Sequence, residues 1–233
     1  MEKPVIMITG AAGDLGRAVV RELSRKGVRL ACVERKTETL AALLASLPSE
    51  ADVLGVGGID LTDVTSCLRA VQKSHDRFGR VDGLVNTVGG FNMGPIDQSG
   101  IGRWDALMMM NARTAYAISA AVLPGMQQRR HGRILHIAAS PGLKAGSHQS
   151  AYAASKAAVI RLTEAIAAEN RTHLITANCI LPGTIDTPRN REAMPDANTE
   201  TWVPASSIAR LIAFLVSLEA SAVTGAAIAA GGF

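Results

Sequence analysis

The sequence predicts an α/β fold, a single domain built on a doubly wound parallel sheet of about seven strands. Three observations carry that expectation. Short runs rich in Val, Ile and Leu alternate with longer amphipathic segments along the whole chain. The short runs are continuously apolar, as strands buried on both faces require. No stretch has the composition of a linker, an internal repeat or a low-complexity segment, so residues 1–233 read as one unit of a size that a single core can serve.

The elements follow in order. Val5–Thr9 reads as a buried strand and Leu15–Lys26 as the helix after it. Arg29–Val33 is the next strand, with a helix around Thr39–Leu47. Val53–Val56 is a strand, Val64–Phe78 a helix, and Val81–Asn86 the fourth strand. A long helical region covers roughly Gly102–Gln128. Pro124 should break or bend it, because proline removes a backbone donor and crowds the preceding turn. Arg133–Ile137, Thr176–Leu181 and Ala226–Ala229 are the remaining strands, and Ser150–Asn170 and Ala205–Leu218 the remaining helices. Right-handed crossovers then place helices on both faces of the sheet. Pro182–Pro204 is the one long irregular stretch, and such loops in compact domains serve as lids or binding loops.

Composition narrows the function. Hydrophobic residues make up 48% and aromatics 3%, so the core is built from Ala, Val, Ile and Leu. The net charge of +4 comes without a long basic block or an aromatic ladder, which argues against a nucleic-acid partner. A mild positive balance favours an anionic cofactor. Arg129, Arg130, His131 and Arg133 read as a solvated turn. Cys32, Cys67 and Cys179 lack any metal-ligand spacing and read as free core thiols, which suits a reducing compartment. His75, His131 and His173 have no partners at metal spacing, His136 reads as structural, and no metal is expected. Met108–Met110 read as core packing or a subunit contact. With no signal-peptide pattern and no apolar stretch judged long enough to span a bilayer, a soluble cytoplasmic protein without a membrane partner is expected.

The chemistry begins at Thr9-Gly10-Ala11-Ala12-Gly13-Asp14-Leu15-Gly16, a glycine-rich turn between strand and helix. Such a turn lets backbone approach a pyrophosphate and aims free helix N–H groups at it. Glu34 ends the second strand, where an acid can bind both ribose hydroxyls and favour NAD. Arg35 and Lys36 are placed to hold a 2′-phosphate instead, which keeps NADP open. Asp60 and Leu61 follow the third strand. Asn86 ends the fourth, within Asn86-Thr87-Val88-Gly89-Gly90, at the sheet edge where open α/β sheets bind ligands. Tyr152 and Lys156 stand four apart on one helix face, where an ammonium would stabilise a phenolate and let the tyrosine move a proton.

Taken together, the glycine turn, Asn86-Thr87-Val88-Gly89, Asn111, Ser140, Tyr152 with Lys156, and Pro182-Gly183 occur in an order and spacing that resembles the short-chain dehydrogenase/reductase family over essentially the whole chain. The resemblance implies a Rossmann-like fold and hydride transfer between NAD(P)H and a small carbonyl or alcohol substrate. It implies that Tyr152 is the general acid/base and that Lys156 holds the nicotinamide ribose and lowers the tyrosine pKa. Asn111 would support a proton-relay water and Ser140 would bind the substrate oxygen. Gly10, Gly13, Asp14, Leu15, Gly16, Glu34, Arg35, Asp60, Leu61, Asn86, Val88, Gly89 and Ile185 would bind the cofactor, together with Tyr152 and Lys156. Pro182, Gly183 and Thr187 would embrace its nicotinamide end. The tail from Gly225 to Gly232 is similar to the family's last strand, which commonly sits in a homo-oligomer, a tetramer or dimer.

Three departures qualify that pattern. Asp14 stands where the usual second glycine would be, and the glycine spacing matches the variant of the family's extended members. A carboxylate there would repel a pyrophosphate or stabilise the helix start, and no basic residue precedes it, which disfavours NADP. Ser140 lies twelve residues before Tyr152 where thirteen is usual, so strict spacing selects Ala139. Val88-Gly89-Gly90 and the segment Leu181–Arg191, continuing through Met194-Pro195 to Trp202, are locally similar to dihydropteridine reductase. A pteridine-type reductase is therefore one alternative, and a non-catalytic dinucleotide-binding sensor is another. His148 is a candidate for the substrate cleft, and Trp202 either packs the lid over substrate or anchors the loop.

Overall fold

A computed structural model describes residues 3–231. Gly232, grouped above with the last strand, lies outside them. The strands are β1 (Val5–Thr9), β2 (Arg29–Val33), β3 (Val53–Val56), β4 (Gly83–Asn86), β5 (Gly132–Ile137), β6 (Ile175–Pro182), β7 (Ile185–Asp186), β8 (Val203–Pro204) and β9 (Ala227–Ala230). The helices are α1 (Asp14–Arg25), α2 (Thr37–Ala45), α3 (Val64–Phe78), α4 (Ile96–Leu107), α5 (Thr114–Arg129), α6 (Ser150–Glu169), α7 (Pro188–Ala193) and α8 (Ala205–Leu215). Seven strands form one parallel sheet in the order β3-β2-β1-β4-β5-β6-β9, and β7 pairs with β8 in a separate two-stranded piece.

The alternation of side chains along β1 explains the two-sided wrap. Val5 and Met7 enter one core, beside residues of α3, α5 and α6 such as Cys67, Ile118 and Ile166. Ile6 and Ile8 enter the other, beside Leu15 and Val19 of α1, Leu40 of α2 and Ile208 of α8. With successive side chains pointing to opposite faces, all five β1 residues are buried. The strand order reverses between β1 and β4, so their carboxyl ends open a crevice, the place where such sheets bind ligands.

Several details depart from expectation. Pro124 lies inside α5, which runs on to Arg129 unbroken. The irregular turn falls earlier, where Met108–Arg113 form a π-helical segment between α4 and α5. The helical stretch Ile96–Arg129, kinked at Gly100 (φ 65°, ψ 157°), is 34 residues long with a window of mean hydropathy 1.2, so by length and composition alone it is apolar enough to cross a bilayer, contrary to the expectation that no stretch is. Half of that window is buried inside the fold, with Ala117, Ile118 and Met126 of α5 in the core. Arg133 is not solvated. It is buried on β5 and donates to the carbonyls of Gly132, Leu174 and Ser217, while the turn itself is made at Arg130 with φ 52°. All three cysteines are free and buried.

Candidate active site

The glycine turn is shaped by close approach. Gly10 has φ +67°, a left-handed conformation that favours glycine, and a Cβ there would lie 2.9 Å from Thr87 Oγ1. At Gly16 a Cβ would collide with the carbonyl oxygen of Gly10. The Thr87 hydroxyl donates to the carbonyls of Thr9 (2.8 Å) and Gly10 (3.2 Å), tying β4 to the turn. Asp14 is the exposed first residue of α1, where a carboxylate favours the helix dipole. The first-turn N–H groups of α1 have no partner within the helix, and Asp14, Leu15 and Gly16, which carry them, line the crevice.

This turn forms one wall of a cavity of about 760 Å³. Gly10, Gly13, Asp14, Leu15 and Gly16 line it together with Glu34, Arg35, Asp60, Leu61, Val88 and Gly89, eleven of the residues expected to hold a cofactor. The Glu34 carboxylate accepts hydrogen bonds from the N–H groups of Ala12 (3.1 Å) and Arg35 (2.8 Å), so it also braces the glycine turn. Asp60 accepts from the N–H and hydroxyl of Thr62, which hold its carboxyl below the usual range. Asn86 is not on the cavity wall. It is buried, takes the Thr9 hydroxyl (2.6 Å) and the Val88 N–H (3.3 Å), and approaches His136 Nδ1 at 3.5 Å. His136 reaches Ser119 on its other side at 3.1 Å, and complete burial pushes it down to about 4, so it stays neutral.

Asn111, in the π-helical segment, is buried and exchanges two hydrogen bonds with Gly90. The Gly90 N–H donates to Asn111 Oδ1 (2.8 Å), and Asn111 Nδ2 donates back to the Gly90 carbonyl (3.1 Å) and also to Ser155 Oγ (2.9 Å). One side chain thus joins the β4 turn to α6, and single π turns inside helices are frequent at functional sites. Lys156 is 4% exposed and its ammonium donates to the Ile137 carbonyl at the end of β5 (2.9 Å). A Cβ on Gly89 would lie 3.0 Å from Lys156 Nζ, which puts the ammonium directly behind the cavity wall. Burial brings Lys156 down to about 8 and pushes Tyr152 up to about 12. Lys156 Nζ is 5.9 Å from the Tyr152 ring centre, and Phe91 packs edge-on against that ring at 4.8 Å.

Comparison with known proteins settles the family. A family model for short chain dehydrogenases matches residues 4–198. The chain belongs to the short-chain dehydrogenase family. It is 30% identical over 236 residues to the 3-oxoacyl-[acyl-carrier-protein] reductase FabG of Escherichia coli, covering 96% of this chain and 94% of that one. Levodione reductase superposes with a TM-score of 0.90 at 30% identity, covering 98% of this chain and 96% of the other. An actinorhodin polyketide ketoreductase solved with NADPH gives a TM-score of 0.90 at 29% identity, covering 99% and 96%. The chain is an NAD(P)-dependent oxidoreductase whose reaction is hydride transfer between the nicotinamide cofactor and a carbonyl or hydroxyl group.

In this dehydrogenase the remaining expected residues stand off the cavity wall. Pro182 ends β6, and the exposed Gly183 donates its N–H to the Ala230 carbonyl beyond it. Ile185 lies in β7, and Thr187 is buried and caps α7 through the Asn190 N–H. The segment expected to be irregular is therefore structured: β7 pairs with β8, and Trp202 is buried. Ser140 is exposed at the start of a short 3-10 turn, while Ala139 before it is buried. His148 is exposed with φ 61°, and its carbonyl accepts from the Gly94 N–H. Met109 and Met110 line the cavity half-exposed and are not core residues. Phe91 and Arg103, which the sequence does not single out, line it too, as does Arg189 from the Leu181–Arg191 segment. Phe91 directly follows Gly90 and lies within reach of the turn motif, whereas Arg103 carries no local signal.

Proposed function

We propose that this dehydrogenase reduces a small carbonyl compound with NADH as preferred cofactor, Tyr152 acting as general acid. One observation carries the reading. Lys156 stands behind the cavity wall at Gly89, pinned to the end of β5, and Tyr152, one turn before it on α6, packs against Phe91 of the same wall. Bound cofactor supplies the hydride. Burial keeps the Tyr152 phenol protonated, the form needed to give a proton to a carbonyl oxygen as it gains electrons. Lys156, near 8 and so mostly charged at neutral pH, is placed to hold a ribose hydroxyl and favour the phenolate once the proton has left. Asn111 acts through shape, since its side-chain amide is committed to Gly90 and Ser155. The exposed Ser140 hydroxyl, without a hydrogen-bond partner among the described residues, is left to meet the substrate oxygen. Glu34 at the adenosine end supports the preference for NADH.

The proposal extends to assembly as a dimer or tetramer and to a cytoplasmic setting. The edge strand β9 and the exposed Phe214 and Leu218 support the first, and three free buried thiols support the second. Light scattering tests the assembly. The chemical test is Tyr152→Phe, assayed on a panel of ketones and a quinonoid dihydropterin. Turnover should fall about 100- to 10,000-fold while the dissociation constant for NADH holds steady. A variant that turns over like the wild type removes Tyr152 from the chemistry, and wild-type turnover of the pterin alone moves the substrate class.

A further inference from the structure

Six charged side chains line the cavity: Asp14, Glu34 and Asp60 against Arg35, Arg103 and Arg189. Three acids and three bases leave the wall with no net charge, although the ligand it must hold is an anion. Half of these groups are already engaged. Glu34 holds two backbone N–H groups, Asp60 holds Thr62, and Arg103 donates to the Met93 carbonyl (2.8 Å) and the Ser99 hydroxyl (2.7 Å). Among the described residues, the side chains of Asp14, Arg35 and Arg189 have no hydrogen-bond or ion-pair partner. Asp14 sits on the first turn of α1, where the cofactor's diphosphate belongs in this fold, and it repels that anion. Arg35 follows the end of β2, on the ribose side.

Arg189 comes from the lid, and the lid holds it there by design of its neighbours. Ile185 packs on the apolar core that also holds Leu15 of α1 and Ile208 of α8, and Arg189 lines the same cavity as the glycine turn. Helix α7 is fixed by the Thr187 cap, by Asn190 Nδ2 on the Ile185 carbonyl (2.8 Å), and by a two-pronged Arg191–Asp186 pair at 2.6 and 2.9 Å. Arg191 is thereby spent within the lid, whereas Arg189 on the same short helix is left free over the cavity. The geometry points to Arg189 as a lid-borne clamp for the cofactor's diphosphate, offsetting the carboxylate that Asp14 places at the glycine turn. The inference rests on the cofactor site proposed above. It makes lid position and cofactor binding one event, since an arginine bound to the diphosphate draws the Pro188–Ala193 helix down with it.

The test is equilibrium binding. NADH is titrated by fluorescence against the wild type, Arg189→Gln, Asp14→Asn and the double variant, with adenosine as a competitor that lacks the diphosphate. Arg189→Gln should weaken NADH about tenfold, the scale of one charge interaction near a protein surface, and should flatten the salt dependence of binding. Asp14→Asn should tighten NADH about threefold on the same scale, and adenosine affinity should be unchanged in every variant. NADH binding to Arg189→Gln at wild-type strength, or an equal loss for adenosine, overturns the clamp. A wild type that binds neither NADH nor NADPH overturns the cofactor site itself, a separate result.

Discussion

The glycine end and the Tyr152 end of the cleft are built from opposite kinds of contact. The glycine end is made by backbone and by missing atoms: Gly10 and Gly16 leave no room for a Cβ, and the wall is carried on β1, α1 and the strand ends beside them. The Tyr152 end is made by side chains that bond across distant segments: Asn111 to Gly90 and Ser155, and Lys156 to Ile137. The first is a steric solution and is damaged by adding volume. The second is a polar one and is damaged by deleting a partner, because each bond satisfies a buried group that water cannot reach.

The sharpest way to break that contrast is to add one methyl group. In Gly16→Ala the new Cβ meets the Gly10 carbonyl, backbone that cannot swing aside as a flexible side chain can. NADH binding should fall more than about 100-fold, and unfolding in urea should show a loss of about 1–3 kcal/mol, typical of an overpacked site. Binding within threefold of wild type would mean that the turn yields, and the steric account of this end would fail.

The same contrast explains what could be read from the sequence. The glycine turn, Glu34, Asp60 and Val88-Gly89 are local: each follows a strand whose apolar run is visible, so its place at the sheet edge follows from chain order alone. Tyr152 and Lys156 share one helix and were legible for the same reason. The π-helical segment was not, because its geometry is fixed by Asn111 reaching Gly90, twenty-one residues away, and Ser155, forty-four away. Pro124 leaves α5 unbroken for a related reason: the helix packs Ile118 and Met126 into the core on either side of it, and tertiary packing outweighs a local breaker. For Arg189 the sequence shows only its membership of the long Pro182–Pro204 segment; its place on the cavity wall depends on the β7–β8 pairing and the packing of Ile185, which no local pattern encodes.

At the Tyr152 end the expected effect is one of proton linkage. Lys156 is brought from the ordinary lysine value of 10.5 to about 8 by burial. Below about pH 8 the folded and unfolded chains both hold this proton. Between about 8 and 10.5 the unfolded chain binds it and the folded chain does not, so stability attributable to this residue rises with pH across that window. Measured against Lys156→Met, which keeps the stem and removes the charge, the wild type should gain up to about 3 kcal/mol between pH 8 and 10.5 in urea unfolding. Other alkaline titrations are common to both chains and cancel. Parallel stability curves would show that the ammonium is not paying a burial cost there.

The smallest effect belongs to Glu34, where the two kinds of contact meet. Its carboxylate is a polar brace, holding the Ala12 and Arg35 N–H groups, at the end otherwise built by sterics. It is also the acid placed to meet ribose hydroxyls. Two variants separate these roles. Glu34→Gln keeps an acceptor for Ala12 and removes the charge; Glu34→Ala removes both. If the ribose contact dominates, both variants should weaken NADH about fivefold, the net worth of one ordinary hydrogen bond at about 1 kcal/mol. NADPH should then be spared, because Arg35 and Lys36 remain free to meet a 2′-phosphate. A loss in Glu34→Ala alone, equal for NADH and NADPH, would instead make Glu34 a brace for the glycine turn, and the NADH preference would have to rest on other residues.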